Sequence, residues 1–177
     1  MSLIEQAKTL QDEARRVMDE LALHTACPWR PQVVGSALSG LMTIRDLDVM
    51  FDAPDATATV VLKGLATIAE GVDVRAVDFR DERADRRPTP AITDERFYAV
   101  LKVNGLWKVD LTFWLHVVDR PQVPDALRLR DAPEHQRLTI LRLKQECPDY
   151  PDTISGLDIY TAVLEYGVQT VDELLRK

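Results

Sequence analysis

The stretch DLDVMFD, residues 46–52, constrains this chain more than any other segment. Asp46, Asp48 and Met50 alternate with Leu47, Val49 and Phe51, which is the side-chain period of a β-strand. One side of that strand is apolar. The other carries two carboxylates that project the same way, about 7 Å apart along the chain.

The segments around it alternate between helical and strand periods. Residues 2–23 repeat apolar positions at helical spacing, through Leu3, Ala7, Leu10, Ala14, Val17, Met18 and Leu21, until CPWRP breaks the pattern. QVVGS reads as a short strand that ends in a Gly-Ser turn. Residues 56–70 are helical in period, VDVRAVDFR alternates as a further strand, and DERADRRPTPAITDE is a polar loop. Beyond the loop, RFYAVLKVNGLWKVDLTFWLH reads as two β-segments joined through Asn104 and Gly105, a dipeptide that favours a tight hairpin. After Pro124 the pattern turns helical, in EHQRLTILRLKQE, SGLDIYTAVLEYG and TVDELLRK. Thr153 or Ser155 is placed to cap the middle helix and Gly167 to end it. The expected class is α+β, a mixed sheet with flanking helices and a small C-terminal helical part. The expected organisation is one compact unit, residues 1–177, with a core over 1–124 and helices over 125–177.

Composition narrows the function. With 177 residues, 46% of them hydrophobic, the chain can bury one full core. No apolar run approaches the length of a membrane helix, and the N-terminal stretch has scattered acids in place of a signal peptide's apolar region, so a cytoplasmic location is expected. Cys27 and Cys147 stand far apart, without the spacing of a zinc site, and read as reduced thiols. A formal charge of −7 argues against nucleic acid as a partner and for a small substrate, because binding polyanions takes clustered Lys and Arg.

The chemistry concentrates in VVGSALSGLMTIRDLDVMFD. A strand runs into Gly35 and Ser36, nine residues intervene, and Asp46 and Asp48 follow. A glycine lets backbone approach a ligand closely, and a turn that opens a helix points free N–H groups at an anion. Carboxylate oxygens suit Mg²⁺, which takes its remaining ligands from substrate phosphates.

Gly-Ser, a short helical connection and Asp-x-Asp followed by apolar residues resemble the signature of the polymerase-β-type nucleotidyltransferase superfamily, over roughly residues 32–115. The resemblance implies that a third carboxylate comes from a later strand, where KVDLTFW places Asp110. It also implies magnesium-dependent transfer of a nucleoside monophosphate from an NTP to a hydroxyl on a small-molecule or protein acceptor. Asp46, Asp48 and Asp110 would then be the catalytic and metal-binding residues, two Mg²⁺ ions the cofactors, and Gly35 and Ser36 the nucleotide-binding turn. A homodimer would complete so small a site, as in some relatives. Two further readings stay open: a catalytically silent nucleotide-binding or protein-interaction module of the same fold, and transfer to an RNA end.

Asp78, in RAVDFRD, is the alternative third carboxylate, but it adjoins a charged loop, whereas Asp110 sits among Val109, Leu111, Trp107, Phe113 and Trp114. The arginines at 75, 80, 83, 86 and 87 alternate with acids and read as a solvated loop. Lys144 and Arg142 are candidates to reach the β- or γ-phosphate. His24, His116 and His135 have no metal-ligand spacing.

Overall fold

The computed structural model describes residues 1–176. The first helix, α1 (Leu3–Glu20), starts where Ser2 and Glu5 cap each other: the Ser2 hydroxyl accepts from the Glu5 N–H and the Glu5 carboxylate accepts from the Ser2 N–H. It ends sooner than its period suggested, because Ala22 takes a left-handed backbone, φ 47°, before the short α2 (Leu23–Ala26). Then come β1 (Gln32–Val33), α3 (Gly35–Ser39), β2 (Asp46–Asp52), α4 (Ala58–Gly71) and β3 (Val74–Glu82). The polar loop after β3 is tightened by two 3₁₀ turns, Ala84–Arg86 and Ile92–Asp94. Strands β4 (Arg96–Val103) and β5 (Trp107–Trp114) form the expected hairpin, with Asn104 and Gly105 both at positive φ, 51° and 70°.

The five strands lie in the order β1-β2-β5-β4-β3. Only the central pair, β2 and β5, is parallel; its register sets Asp46 opposite Lys108 and Asp48 opposite Asp110. The sheet is therefore mixed, and the α+β class holds. Its apolar face carries Leu47, Val49, Phe51, Val109, Leu111 and Phe113 against Ala14 and Val17 of α1 and Val61, Leu65 and Ile68 of α4. Phe51 and Phe113 stack across the parallel pair, 4.5 Å between centroids.

The helical part begins earlier than its sequence suggests. Helix α5 (Gln122–Arg130) holds Pro124 in its first turn, where a missing N–H costs nothing because first-turn amides have no helical partner. The division expected at 124/125 thus falls inside a helix. Val123 of α5 packs on Val34, Met50 and Trp114, so α5 lies over one end of the polar sheet face. Helices α6 (Glu134–Glu146), α7 (Gly156–Tyr166) and α8 (Val171–Leu175) enclose a second core with Ala7 of α1 and Leu41. Ser155 caps α7 and Gly167 ends it at φ 67°. Helix α1 thereby joins both cores. No helix among the described residues is long and apolar enough to cross a membrane.

Candidate active site

The polar face of β2 and β5 opens into a cavity of about 980 Å³, which α5, α6, α7 and the loop before α7 help to wall. Asp46, Asp48 and Asp110 converge there, each offering a carboxylate oxygen within 4.8 Å of the others. This convergence follows from strand geometry: residues 46 and 48 share a face, and a parallel partner in register puts 110 beside 48. Asp78 does not join them. It sits in the same cross-strand row, but two strands from Asp110 with β4 between them, and pairs with Arg80 at 2.5 Å.

Within the cluster the three carboxylates are held differently. Lys108 Nζ donates to Asp46 Oδ1 and Oδ2 at 3.2 and 3.3 Å and to Asp110 Oδ2 at 2.9 Å. The Tyr98 hydroxyl donates to the same Asp110 oxygen at 2.7 Å. Asp110 Oδ1 is buried without a partner, and the Asp48 carboxylate has no hydrogen bond or salt bridge among the described residues. Burial, with the charges of Asp46 and Asp110 nearby, pushes the Asp48 carboxyl up to about 7. Burial raises Asp46 as well, against the pull of Lys108. For Lys108, burial acts to lower its value, but the hydrogen bond to Asp110 and the charge of Asp46 outweigh it and hold the ammonium above its ordinary range.

A half-buried group of three carboxylates with one ammonium among them is short of positive charge. An orphaned oxygen and an unpaired, burial-strained carboxylate are what a cation would satisfy. The all-oxygen donor set suits a hard divalent ion, so the residues fit Mg²⁺.

Gly35 and Ser36 line the same cavity. Gly35 has φ +61°, and a Cβ there would stand 2.5 Å from Asp48 Oδ2. The glycine is thus required by Asp48 itself, because backbone passes directly beside the carboxylate.

Of the two basic candidates on α6, only Lys144 faces the cavity. Its Nζ donates to Leu41 O at 2.9 Å and to the Tyr160 hydroxyl at 2.8 Å, and burial lowers it to about 8. Arg142 instead binds Gln169 O at 2.8 Å. The arginine-rich loop behaves as its alternating charges suggested, with Arg75, Arg83 and Arg86 paired to Asp73 and Asp81. Lys108 and Tyr98 escaped the sequence reading. Lys108 was detectable as the residue two before Asp110 on the same strand face; Tyr98 is placed by the β4–β5 register, which its own segment does not reveal.

The fold is shared with solved terminal U-transferase and poly(U) polymerase structures. A cytoplasmic RNA terminal U-transferase superposes with a TM-score of 0.59 at 22% identity, over 88% of this chain and 47% of that one. The Cid1 poly(U) polymerase with magnesium and 3′-dATP bound gives 0.61 at 21% identity, over 88% and 49%. Terminal uridylyl transferase 4 from Trypanosoma brucei with bound dUTP gives 0.52 at 15% identity, over 94% and 60%. The chain spans about half the length of the first two. No protein-family model and no curated protein matches the sequence.

The expectation that nucleic acid is an unlikely partner is not borne out. It rested on a charge averaged over the whole surface, whereas the cavity wall carries Arg45, Arg96, Lys102, Lys108 and Lys144 among an equal number of aspartates, and the solved neighbours include an RNA terminal U-transferase and a poly(U) polymerase.

Proposed function

We propose that this chain transfers a nucleoside monophosphate from an NTP to an acceptor hydroxyl, with a divalent cation, Mg²⁺, held by Asp46, Asp48 and Asp110. The observation that carries this reading is the meeting of three carboxylates from two parallel strands within 4.8 Å, in a cavity that also holds the Gly35–Ser36 turn. In the reaction the acceptor oxygen bonds to the α-phosphorus as the bond to pyrophosphate breaks, and pyrophosphate carries away the electron pair. When bound, Mg²⁺ supplies charge neutralisation at the phosphates and makes the acceptor hydroxyl more acidic.

The protein's own groups supply position and field. Asp110, gripped at Oδ2 by Tyr98 and Lys108, keeps a fixed orientation and accepts the acceptor proton at Oδ1, its unpartnered oxygen. The Gly35–Ser36 turn receives the triphosphate, and Lys144, held by Leu41 O and Tyr160 at the opposite wall, meets its charge.

The acceptor is a hydroxyl on a small molecule or a protein side chain. A second reading, an RNA end, is favoured by the solved neighbours, a cytoplasmic RNA terminal U-transferase and a poly(U) polymerase. The test is incubation with each labelled NTP, Mg²⁺ and a panel of small-molecule, protein and RNA acceptors. Pyrophosphate release with label on one acceptor class is expected. Absence of pyrophosphate with every acceptor, together with unchanged nucleotide binding in Asp48→Asn, would remove the reading.

A further inference from the structure

Beside the acidic cluster, the polar face of the sheet carries one arginine that three neighbours hold in place. Arg96 and Tyr98 share a face of β4, and Arg96 stands opposite Trp114 of β5. The Arg96 guanidinium carbon lies 4.6 Å from the centre of the Tyr98 ring and 5.2 Å from that of Trp114. Its Nε donates to Glu82 of β3 at 2.5 Å. Strands β3, β4 and β5 thus fix a single guanidinium.

The far edge of that group is left over. Neither Nη1 nor Nη2 of Arg96 makes a hydrogen bond among the described residues, and both stay open to solvent on the cavity wall. Arg45, the other arginine of that wall, gives both Nε and Nη2 to Glu13. A planar fork whose orientation is already set matches an oxyanion with two oxygens side by side, at little further loss of side-chain entropy. Glu82 offsets part of the charge, so what the fork adds is direction.

Its place relates it to the acceptor. The Gly35–Ser36 turn lies beside Asp48 of β2, whereas Arg96 stands on β4, and Asp110 of β5 comes between them. Attack in line with the leaving pyrophosphate puts the acceptor on the side away from the triphosphate. An acceptor whose hydroxyl meets Asp110 therefore extends toward β4, where Tyr98, which donates to Asp110, is the one ring between that carboxylate and Arg96.

Resting on the proposed function, we infer that Arg96 is an acceptor-binding residue and that the acceptor carries a phosphate ester close to its reacting hydroxyl. Two sources offer that chemistry: the last phosphodiester of an RNA end, and the phosphate of a small sugar.

The experiment is titration calorimetry on the full chain, saturated with a non-hydrolysable NTP analogue and Mg²⁺, using two matched pairs of acceptors. One pair is the dinucleotide UpU and its uncharged methylphosphonate form; the other is ribose 5-phosphate and ribose. The native chain should bind the charged member of one pair roughly tenfold more tightly. A preference in the first pair marks an RNA end, and one in the second a small molecule. Arg96→Gln should abolish the preference and Arg96→Lys, which keeps the charge without the fork, should restore only part of it. Affinity for the NTP analogue should stay the same in both, and circular dichroism checks that each is folded. Equal binding within both pairs by the native chain overturns the inference without any variant. A preference that survives in folded Arg96→Gln overturns it too, as does a loss of analogue affinity there, which would assign Arg96 to the triphosphate. Each of these leaves the transferase reading standing. A native chain that binds no analogue in the presence of Mg²⁺ overturns both.

Discussion

The two faces of the β2–β5 pair are made from alternate residues of the same short strands, yet they answer to opposite demands. On one side Leu47, Val49, Phe51, Val109, Leu111 and Phe113 are almost wholly buried, and Phe51 lies flat on Phe113. On the other, Asp46, Asp48 and Asp110 are crowded together with a single lysine between them. The first face lowers the free energy of the folded chain by removing apolar surface from water. The second raises it, through burial and like charge. A one-residue step along a strand separates stability from chemistry, and the comparison teaches that the cost of the site is met from directly behind it.

The largest effect is expected on the apolar face. Phe113→Ala removes a fully buried ring that stacks on Phe51 and meets Trp29 edge-on, and should destabilise the chain by about 3–5 kcal/mol in urea unfolding. A loss below about 1 kcal/mol would break the view that this face carries the sheet. The opposite sign is expected next. Asp48 has a folded value of about 7 against an ordinary 3.8, so between those values the folded chain holds a proton that the unfolded chain has lost. Stability of the metal-free protein therefore falls as pH rises from about 4 to about 7 and is level above that. Asp48→Asn escapes this loss. It should unfold at higher urea than the native chain at pH 8, by roughly 2–4 kcal/mol, with little difference at pH 4. Its turnover and Mn²⁺ binding should vanish. A variant destabilised at pH 8 would show that the carboxylate is satisfied in the fold, contrary to the contrast between the faces.

The apolar face was more legible than the polar one. Alternation in DLDVMFD and KVDLTFW identifies both strands and assigns their faces, because that period is local to each segment. Asn104-Gly105, Ser155 and Gly167 act within a few residues, and each does what its type dictates. Helix α5 was missed at its start because Pro124 reads as a breaker, although a first turn tolerates it. Asp110 joining Asp46 and Asp48, with Asp78 excluded, depends on strand order β2-β5-β4-β3, and no local period encodes that order. The same holds for Tyr98 reaching Asp110 from β4, and for Lys144, whose face toward the cavity depends on how α6 lies over Leu41. A charge of −7 belongs to the whole chain and says little about one wall of one cavity.

The smallest effect comes from the seam between the faces and the turn. Gly35 combines a left-handed backbone with a position where a Cβ would press within 2.5 Å of Asp48 Oδ2. Gly35→Ala should therefore cost about 1–2 kcal/mol of stability for the backbone conformation alone. The contact adds a second consequence, because the methyl group has to push the Asp48 carboxylate aside. If that displacement matters, Mn²⁺ affinity falls in Gly35→Ala, and the stability loss becomes smaller in an Asp48→Ala background, where no carboxylate meets the methyl group. Equal losses in the two backgrounds, with Mn²⁺ affinity unchanged, would assign the glycine to its turn and free it from any part in shaping the acidic cluster.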